Sequence, residues 1–550
     1  MKETSKILYL LLLVLAFAVN LAGINVNFFT DDPGLYASIA KNLVYKKDFY
    51  ELFTYNTDWL DKPHFPFWAI MLSFKFFGIS VWAYRLPALI FFMLGVIYTY
   101  VFTRKYYGWE ISAIAVLILM TAQHVVLSNT DVRAEPYLMA LLIAAIYHIA
   151  SLEERYTFTS LLFASLFTAC AVMTKGIFIL IPIYGSLAGQ LMFQRRIKHI
   201  FHLKWLWLLL LTSLFILPEF YALYTQFDLH PEKVVFGRNH VSGIKWFLWD
   251  SQFGRFINNG PITRNDPGSI FFYLHTLLWA FAPWCLLFYY AIFRNIKAIF
   301  NKNEFTEYYA LSGGLLLLVL FSFSRFQLPF YTNAVFPLFA IITAPICLNK
   351  LNKYEDKFRL IIQWVFVFML PLAIVILNFF LKPAHDLFFG LDCLLFGLII
   401  FLITTEVSLA YRKVFFLNCA AALFAGLYLN TIFLNEIVPY KGQIAAAKYI
   451  NQKPFDHVEI FSVRAENNIF QFYCNRPIKL VPLAQFITYK PKNISVFYVN
   501  QQSIDYLNKT HALFKIVKSF VNYPEENILP RFISKDTRQK TLDHVYLISK

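Results

Sequence analysis

The sequence predicts a polytopic α-helical membrane protein that ends in a small α/β domain, and three observations lead there. Of its 550 residues, 58% are hydrophobic, 19% aromatic and only 15% charged, far fewer charges than the roughly 25% of soluble domains. Apolar runs of about 18–22 residues, each long enough for a hydrocarbon core, recur from Ile7 to about Phe433. Lys and Arg gather in short loops, such as Arg104–Lys105, Arg195–Lys204 and Arg412–Lys413, which alternate with loops of different character. That is the positive-inside pattern.

Placing the basic loops in the cytoplasm gives about thirteen spans with a cytoplasmic N-terminus. They fall near 7–26, 82–103, 109–128, 134–151, 158–174, 177–193, 204–224, 268–292, 308–324, 330–348, 360–380, 386–405 and 413–434. The first follows Lys2 and Lys6 like a signal peptide but lacks a convincing cleavage site, so it reads as a retained span. The stretch Phe65–Gly78 is apolar but short, with Pro63 and Pro66 at its start, and is expected at the interface. Two long loops face outward, 27–81 and about 225–267, the second rich in Trp and Phe as interface segments are. Residues 1–434 therefore form a membrane domain. Residues 435–550, where hydropathy falls, form an outer domain with a helix at "QIAAAKYINQ" and strands at "HVEIFSV", "ISVFYVN", "FKIVKSFV" and "HVYLIS".

The net charge of +16 is accounted for by topology. No basic face interleaved with stacking aromatics lies outside the membrane, which argues against a nucleic-acid partner. Five of the six cysteines lie in apolar runs and Cys474 is alone in the tail, so no disulfide framework is expected.

With topology fixed, a set of ionisable residues converges on the outer face: Asp31 and Asp32 after the first span, Lys62 in the first loop, and Asp131, Arg133 and Glu135 in "SNTDVRAEP". Lys175, Arg255, Arg325 and Tyr331 join them. Carboxylates there can take a proton from an incoming hydroxyl, while Lys and Arg can hold a phosphate as it leaves. Nucleotide sugars are not expected outside the cell, so a lipid-linked sugar phosphate fits such a site. Plainer roles compete for each residue: helix capping for the Asp pair and Asp131, snorkelling for Lys62, ion pairing for Glu135, and interface anchoring for Lys175, Arg255 and Arg325. His240 and His275 lack the spacing of metal ligands. A divalent ion near the carboxylates has no positive support.

In order along the chain, "DDPGLYASIAKNL", "DKPHFPFWAIMLSFKFFGIS", "NTDVRAEP", "TKGI" and "SRFQLPFYTNAVFPLFAI" resemble the GT-C glycosyltransferases that use polyprenyl-phosphate sugars. The protein mannosyltransferase-like proteins and the lipid A aminoarabinose transferases are the most similar groups. The resemblance implies a GT-C fold, an outer C-terminal domain, a polyprenyl-phosphate sugar donor, and a lipid A, glycan or protein acceptor; with no organelle-targeting signal in the sequence, a bacterial inner membrane with that domain in the periplasm is expected. It also implies roles. Anchoring the family's Asp-Glu, two variable positions, Tyr and Ala on Tyr36 and Ala37 puts its catalytic Asp at Asp32, with Pro33 in place of the Glu. Asp31 then supplies the second charge, and which Asp is the base stays open. Lys62 matches the Lys of a Lys-Pro-Pro motif, with His64 in place of the second Pro, and Asp131 matches a Thr-Asp motif. Lys62, Arg255 and Tyr331, with Arg325 as a further candidate, would hold the donor phosphate; Tyr36, His64, Glu135 and Lys175 would contact substrate. Leu35 stands where the aminoarabinose transferases carry Arg. The rival expectation is a transporter or flippase of lipid-linked sugars, which would want charges deep in the spans and internal repeats. Neither pattern is found in the sequence.

Overall fold

The computed structural model describes residues 3–550 except 266–267, 302–304, 350, 385, 464–466 and 490–492. Helices dominate to residue 440, and a five-stranded sheet with flanking helices follows. Among the described residues, eight helices are long and apolar enough to cross a membrane, and five more apolar helices are shorter. Thirteen full-length spans are therefore not reached by length alone.

The first ten helices are α1 (Glu3–Leu21), α2 (Asp31–Lys46), α3 (Phe65–Phe77), α4 (Val81–Tyr106), α5 (Trp109–Thr121), α6 (Gln123–Ser128), α7 (Glu135–Glu154), α8 (Phe158–Lys175), α9 (Leu180–Phe193) and α10 (Leu203–Leu223). Several expected spans are broken. The segment 109–128 divides at Ala122 into α5 and α6, and 268–292 becomes two helices, Phe272–Ala280 and Cys285–Phe300. Between that second pair lies Pro283, which has no amide hydrogen to continue a helix. Such breaks shorten helices without changing composition, so hydropathy alone does not see them. The stretch at Phe65 forms α3, with Pro66 in its first turn where a missing N–H costs nothing.

The first long loop is structured. In α2 the apolar residues Tyr36, Ala37, Ile39, Ala40 and Leu43 are buried, and the helix stops at Lys47 in the left-handed conformation. A hairpin follows, β1 (Phe53–Thr54) with β2 (Thr57–Asp58), too short to show in the sequence pattern.

The C-terminal sheet contains β3 (Glu459–Val463), β4 (Ile478–Val481), β5 (Ser495–Asn500), β6 (Lys515–Asn522) and β7 (Asp543–Ser549) in the order β4-β3-β5-β7-β6. β3 runs parallel to β4 and β5, while β7 is antiparallel to β5 and β6. "SVFYV" in central β5 is buried at every position, as a strand covered on both faces must be.

This domain is fastened to the first loop. Tyr55, at the hairpin turn, is buried among Ile450, Ile460, Phe470 and Tyr498. Its hydroxyl donates to the Asn467 carbonyl (2.8 Å) and accepts from the Asn467 amide (2.6 Å). The short helix Asn468–Tyr473 lies along α2, with Asp31 at its N-terminus and Lys41 at its C-terminus. Both charges suit the helix dipole.

Candidate active site

The two adjacent carboxylates at the start of α2 have separate partners. Asp31 accepts from the Asn468 amide (3.1 Å) and the Asn468 side-chain amide (2.5 Å). Burial raises the Asp31 pKa, and these hydrogen bonds oppose the rise. Asp32 instead pairs with Arg133. Its side chain is 49% exposed whereas that of Arg133 is 17% exposed, so Asp32 is the member of the pair open to an incoming group.

Arg133 joins Asp32 to Asp131, donating to the latter from Nε at 3.1 Å. Thr30 donates its hydroxyl to the other Asp131 oxygen. The guanidinium lies over the Phe330 ring, 4.3 Å from its centroid. Burial works against its charge, but Asp131, Asp32 and Glu135 outweigh burial and raise its pKa above the ordinary arginine value. Arg133 thus supplies the positive charge between two carboxylates. Among the described residues, no three His, Cys, Asp or Glu side chains converge as ligands would around a metal.

A second cluster forms around Asp61. One of its oxygens accepts from Lys62 at 3.0 Å and the other pairs with Arg255. The Arg255 Nε is buried with no hydrogen-bond partner among the described residues. Lys175, at the end of α8, pairs with Glu135 at the start of α7; both are buried. Its ammonium also sits 3.9 Å from the Tyr331 ring centroid. The Gly176 that follows has φ +109°, and a Cβ there would come within 2.2 Å of the Gln252 side chain. Glycine in "TKGI" therefore answers both a backbone and a packing need.

Two cavities adjoin these clusters. One, of about 430 Å³, is lined by Ile177, Leu180, Ile181, Phe256, Leu320 and Phe321 together with Lys175, Arg255 and Tyr331. The other, of about 310 Å³, is lined by His124, Asp131, Arg133 and Glu135 with Phe28, Trp279, Phe433 and Ile528. Consecutive residues Phe330 and Tyr331 face different cavities, and the Glu135–Lys175 pair spans the wall between them.

The structure thus brings together Asp32, Asp131, Glu135, Lys175 and Tyr331, with Lys62 and Arg255 beside them. Tyr36 is buried with its ring against Phe67 (centroids 5.0 Å), and burial raises its pKa further above the usual phenol range. Two expected contacts fall elsewhere. His64 is buried, with Nδ1 on Glu219 (2.9 Å) and Nε2 on the Tyr50 carbonyl (2.9 Å), so both nitrogens are engaged in holding the loop to α10. Arg325 is exposed and outside the lining of the larger cavity; its backbone ties Phe256 to Gly268. Sequence reasoning passed over Asp61, although it adjoins Lys62, and placed Arg133 on the outer face without pairing it to Asp32 and Asp131. His124, 2.8 Å from Asn333 Oδ1, and Asn468 carried no local signal.

Comparison with known proteins agrees with this architecture. A family model described as dolichyl-phosphate-mannose-protein mannosyltransferase matches residues 61–221. The crystal structure of ArnT from Cupriavidus metallidurans bound to undecaprenyl phosphate superposes with a TM-score of 0.75 at 16% identity, covering 100% of this chain and 98% of that one. The fold is GT-C. An uncharacterized protein of Aquifex aeolicus is 23% identical over 459 residues, 81% of this chain and 82% of its own length. An undecaprenyl phosphate-alpha-4-amino-4-deoxy-L-arabinose arabinosyl transferase of Pseudomonas fluorescens is 23% identical over 336 residues, 59% of this chain and 53% of that protein. The matching family model, the Pseudomonas fluorescens protein and ArnT are glycosyltransferases.

Proposed function

We propose that the chain is an integral-membrane, inverting glycosyltransferase using a polyprenyl-phosphate sugar donor, with residues 1–434 catalytic and residues 435–550 periplasmic. The transferred sugar is a mannose-like hexose or an aminoarabinose-like pentose, and the acceptor is lipid A, a glycan or a protein at the periplasmic face of a bacterial inner membrane. The observation that carries this reading is the pair of adjoining, largely apolar cavities, one holding Asp131 and Glu135 with Arg85 and Arg133 and the other Lys175 and Arg255, joined by Glu135–Lys175.

In this reading the larger cavity seats the prenyl chain, and Arg255, Lys62 and Tyr331 hold the phosphate. The unpartnered Arg255 Nε favours an anion there, because a buried donor without an acceptor is costly. Asp32 takes the acceptor proton while Asp131 and Arg133 fix its position. The bond between C1 of the sugar and the phosphate oxygen breaks, and a bond from C1 to the acceptor oxygen forms on the opposite face. The bonding pair leaves with the phosphate. Donor phosphodiester plus acceptor hydroxyl thus gives glycoside, polyprenyl phosphate and the proton on Asp32.

Purified protein in nanodiscs, supplied with a panel of labelled polyprenyl-phosphate sugars and an outer-membrane lipid extract, tests the proposal. Release of polyprenyl phosphate with label appearing in an acceptor is expected. Donor that stays intact but changes leaflet in proteoliposomes would instead establish transport.

A further inference from the structure

Asp61 sits where the proposed reaction needs positive charge, and both of its oxygens are engaged, one by Lys62 (3.0 Å) and one by Arg255. All three side chains are largely shielded, 15–23% exposed, so their charges act on one another with little screening. The arrangement is more than a neutral pair: two cations share one carboxylate, leaving one net positive charge. Beyond this cluster, Lys175 is matched by Glu135, and Glu219 is hydrogen-bonded to the backbone amide and ring of His64.

The proposed reaction changes the charge of what these cations hold. The donor is a phosphodiester with one negative charge. Once the sugar leaves, the lipid phosphate is a monoester, and above its second pKa of about 6 it carries close to two. A site with one net positive charge is balanced for the donor and leaves the second product charge unmatched.

We infer that Asp61 is a built-in counter-ion that limits how tightly Lys62 and Arg255 hold a lipid phosphate, discriminating against the doubly charged product and favouring its release. This rests on the donor assignment made above. It differs from a role in which Asp61 only orients the two cations, because the two roles predict opposite signs. A purely orienting carboxylate, once removed, leaves Lys62 and Arg255 misplaced and weakens binding of every phosphate. Removing a counter-ion strengthens binding, and more for the product than for the donor.

The test uses full-length protein in nanodiscs, with undecaprenyl phosphate as the probe and direct binding measured by native mass spectrometry. Asp61→Asn is expected to tighten binding by about 5- to 1,000-fold above about pH 7, the range spanned by one full charge removed about 4 Å away between a water-like and a near-surface dielectric. The gain should shrink below about pH 5.5, where the probe carries one charge. Asp61→Glu, which keeps the charge, should bind as wild type does. Turnover of Asp61→Asn should fall and become more sensitive to added undecaprenyl phosphate. Equal or weaker binding by Asp61→Asn, with Asp61→Glu normal, overturns the counter-ion role. No binding of the probe by wild type overturns the donor assignment, and this inference with it.

Discussion

Replacing Asp31 and Asp32 singly by Asn separates two carboxylates that are adjacent in sequence but differently employed in the fold. Asp32 is half exposed and bound to Arg133, which keeps Asp131 as a partner when Asp32 loses its charge. Asp32→Asn therefore leaves no buried unpaired charge, and its stability cost should stay below about 1 kcal/mol, as for exposed ion pairs. Loss of a general base costs about 10²–10⁴-fold in rate, or about 3–5 kcal/mol in the barrier. Asp31→Asn retains one oxygen to accept from the Asn468 backbone amide but turns the second acceptor, now bonded by the Asn468 side-chain amide, into a donor, and it loses charge assistance, which burial already disfavours. A cost of about 1–2 kcal/mol is expected, with activity changed by only a small factor. Single-turnover release of polyprenyl phosphate and thermal unfolding, measured on the same nanodisc preparations, read both effects. An inactive but folded Asp31→Asn beside an active Asp32→Asn would refute the assignment.

Lys41 donates to the carbonyls of Gln471 (2.8 Å), Phe472 (2.9 Å) and Cys474 (2.5 Å). Lys41→Met should cost about 2–4 kcal/mol and let limited proteolysis release the C-terminal sheet at lower temperature. Arg255→Ala removes a cation from the larger cavity and should raise donor KM by about 10–100-fold, with kcat less affected in steady-state assays. Burial pushes Glu307 up to about 7 even though it accepts from Ala310 N (2.9 Å) and Tyr107 (3.3 Å). A carboxyl whose folded pKa exceeds its unfolded value binds more protons when folded. Its contribution is full below about pH 4.5 and falls by about 3 kcal/mol as pH rises to about 7. Glu307→Gln should remove that slope from thermal unfolding measured across the same window.

The sequence by itself determined the class of protein, because crossing a bilayer imposes long apolar runs and loop charge that survive without any tertiary information. It also placed the C-terminal strands β3, β5, β6 and β7, whose apolar content is high, though not the four-residue β4. Ordered motifs brought forward Asp32, Asp131, Lys62 and Lys175, since each lies beside a turn or helix end where an ionisable group needs a reason. Tertiary structure decided the rest. Asn468 lies 437 residues from Asp31, and no local pattern could say that it takes one carboxylate of the pair and leaves the other to Arg133. His64 and Asp61 show the same limit in opposite directions. The resemblance around Lys62 made His64 a candidate substrate contact, whereas in the fold Glu219, 155 residues away, engages its ring. Asp61 looked incidental until the fold carried Arg255 to it across 194 residues. Local chemistry fixes which groups can ionise; long-range packing fixes which charges meet.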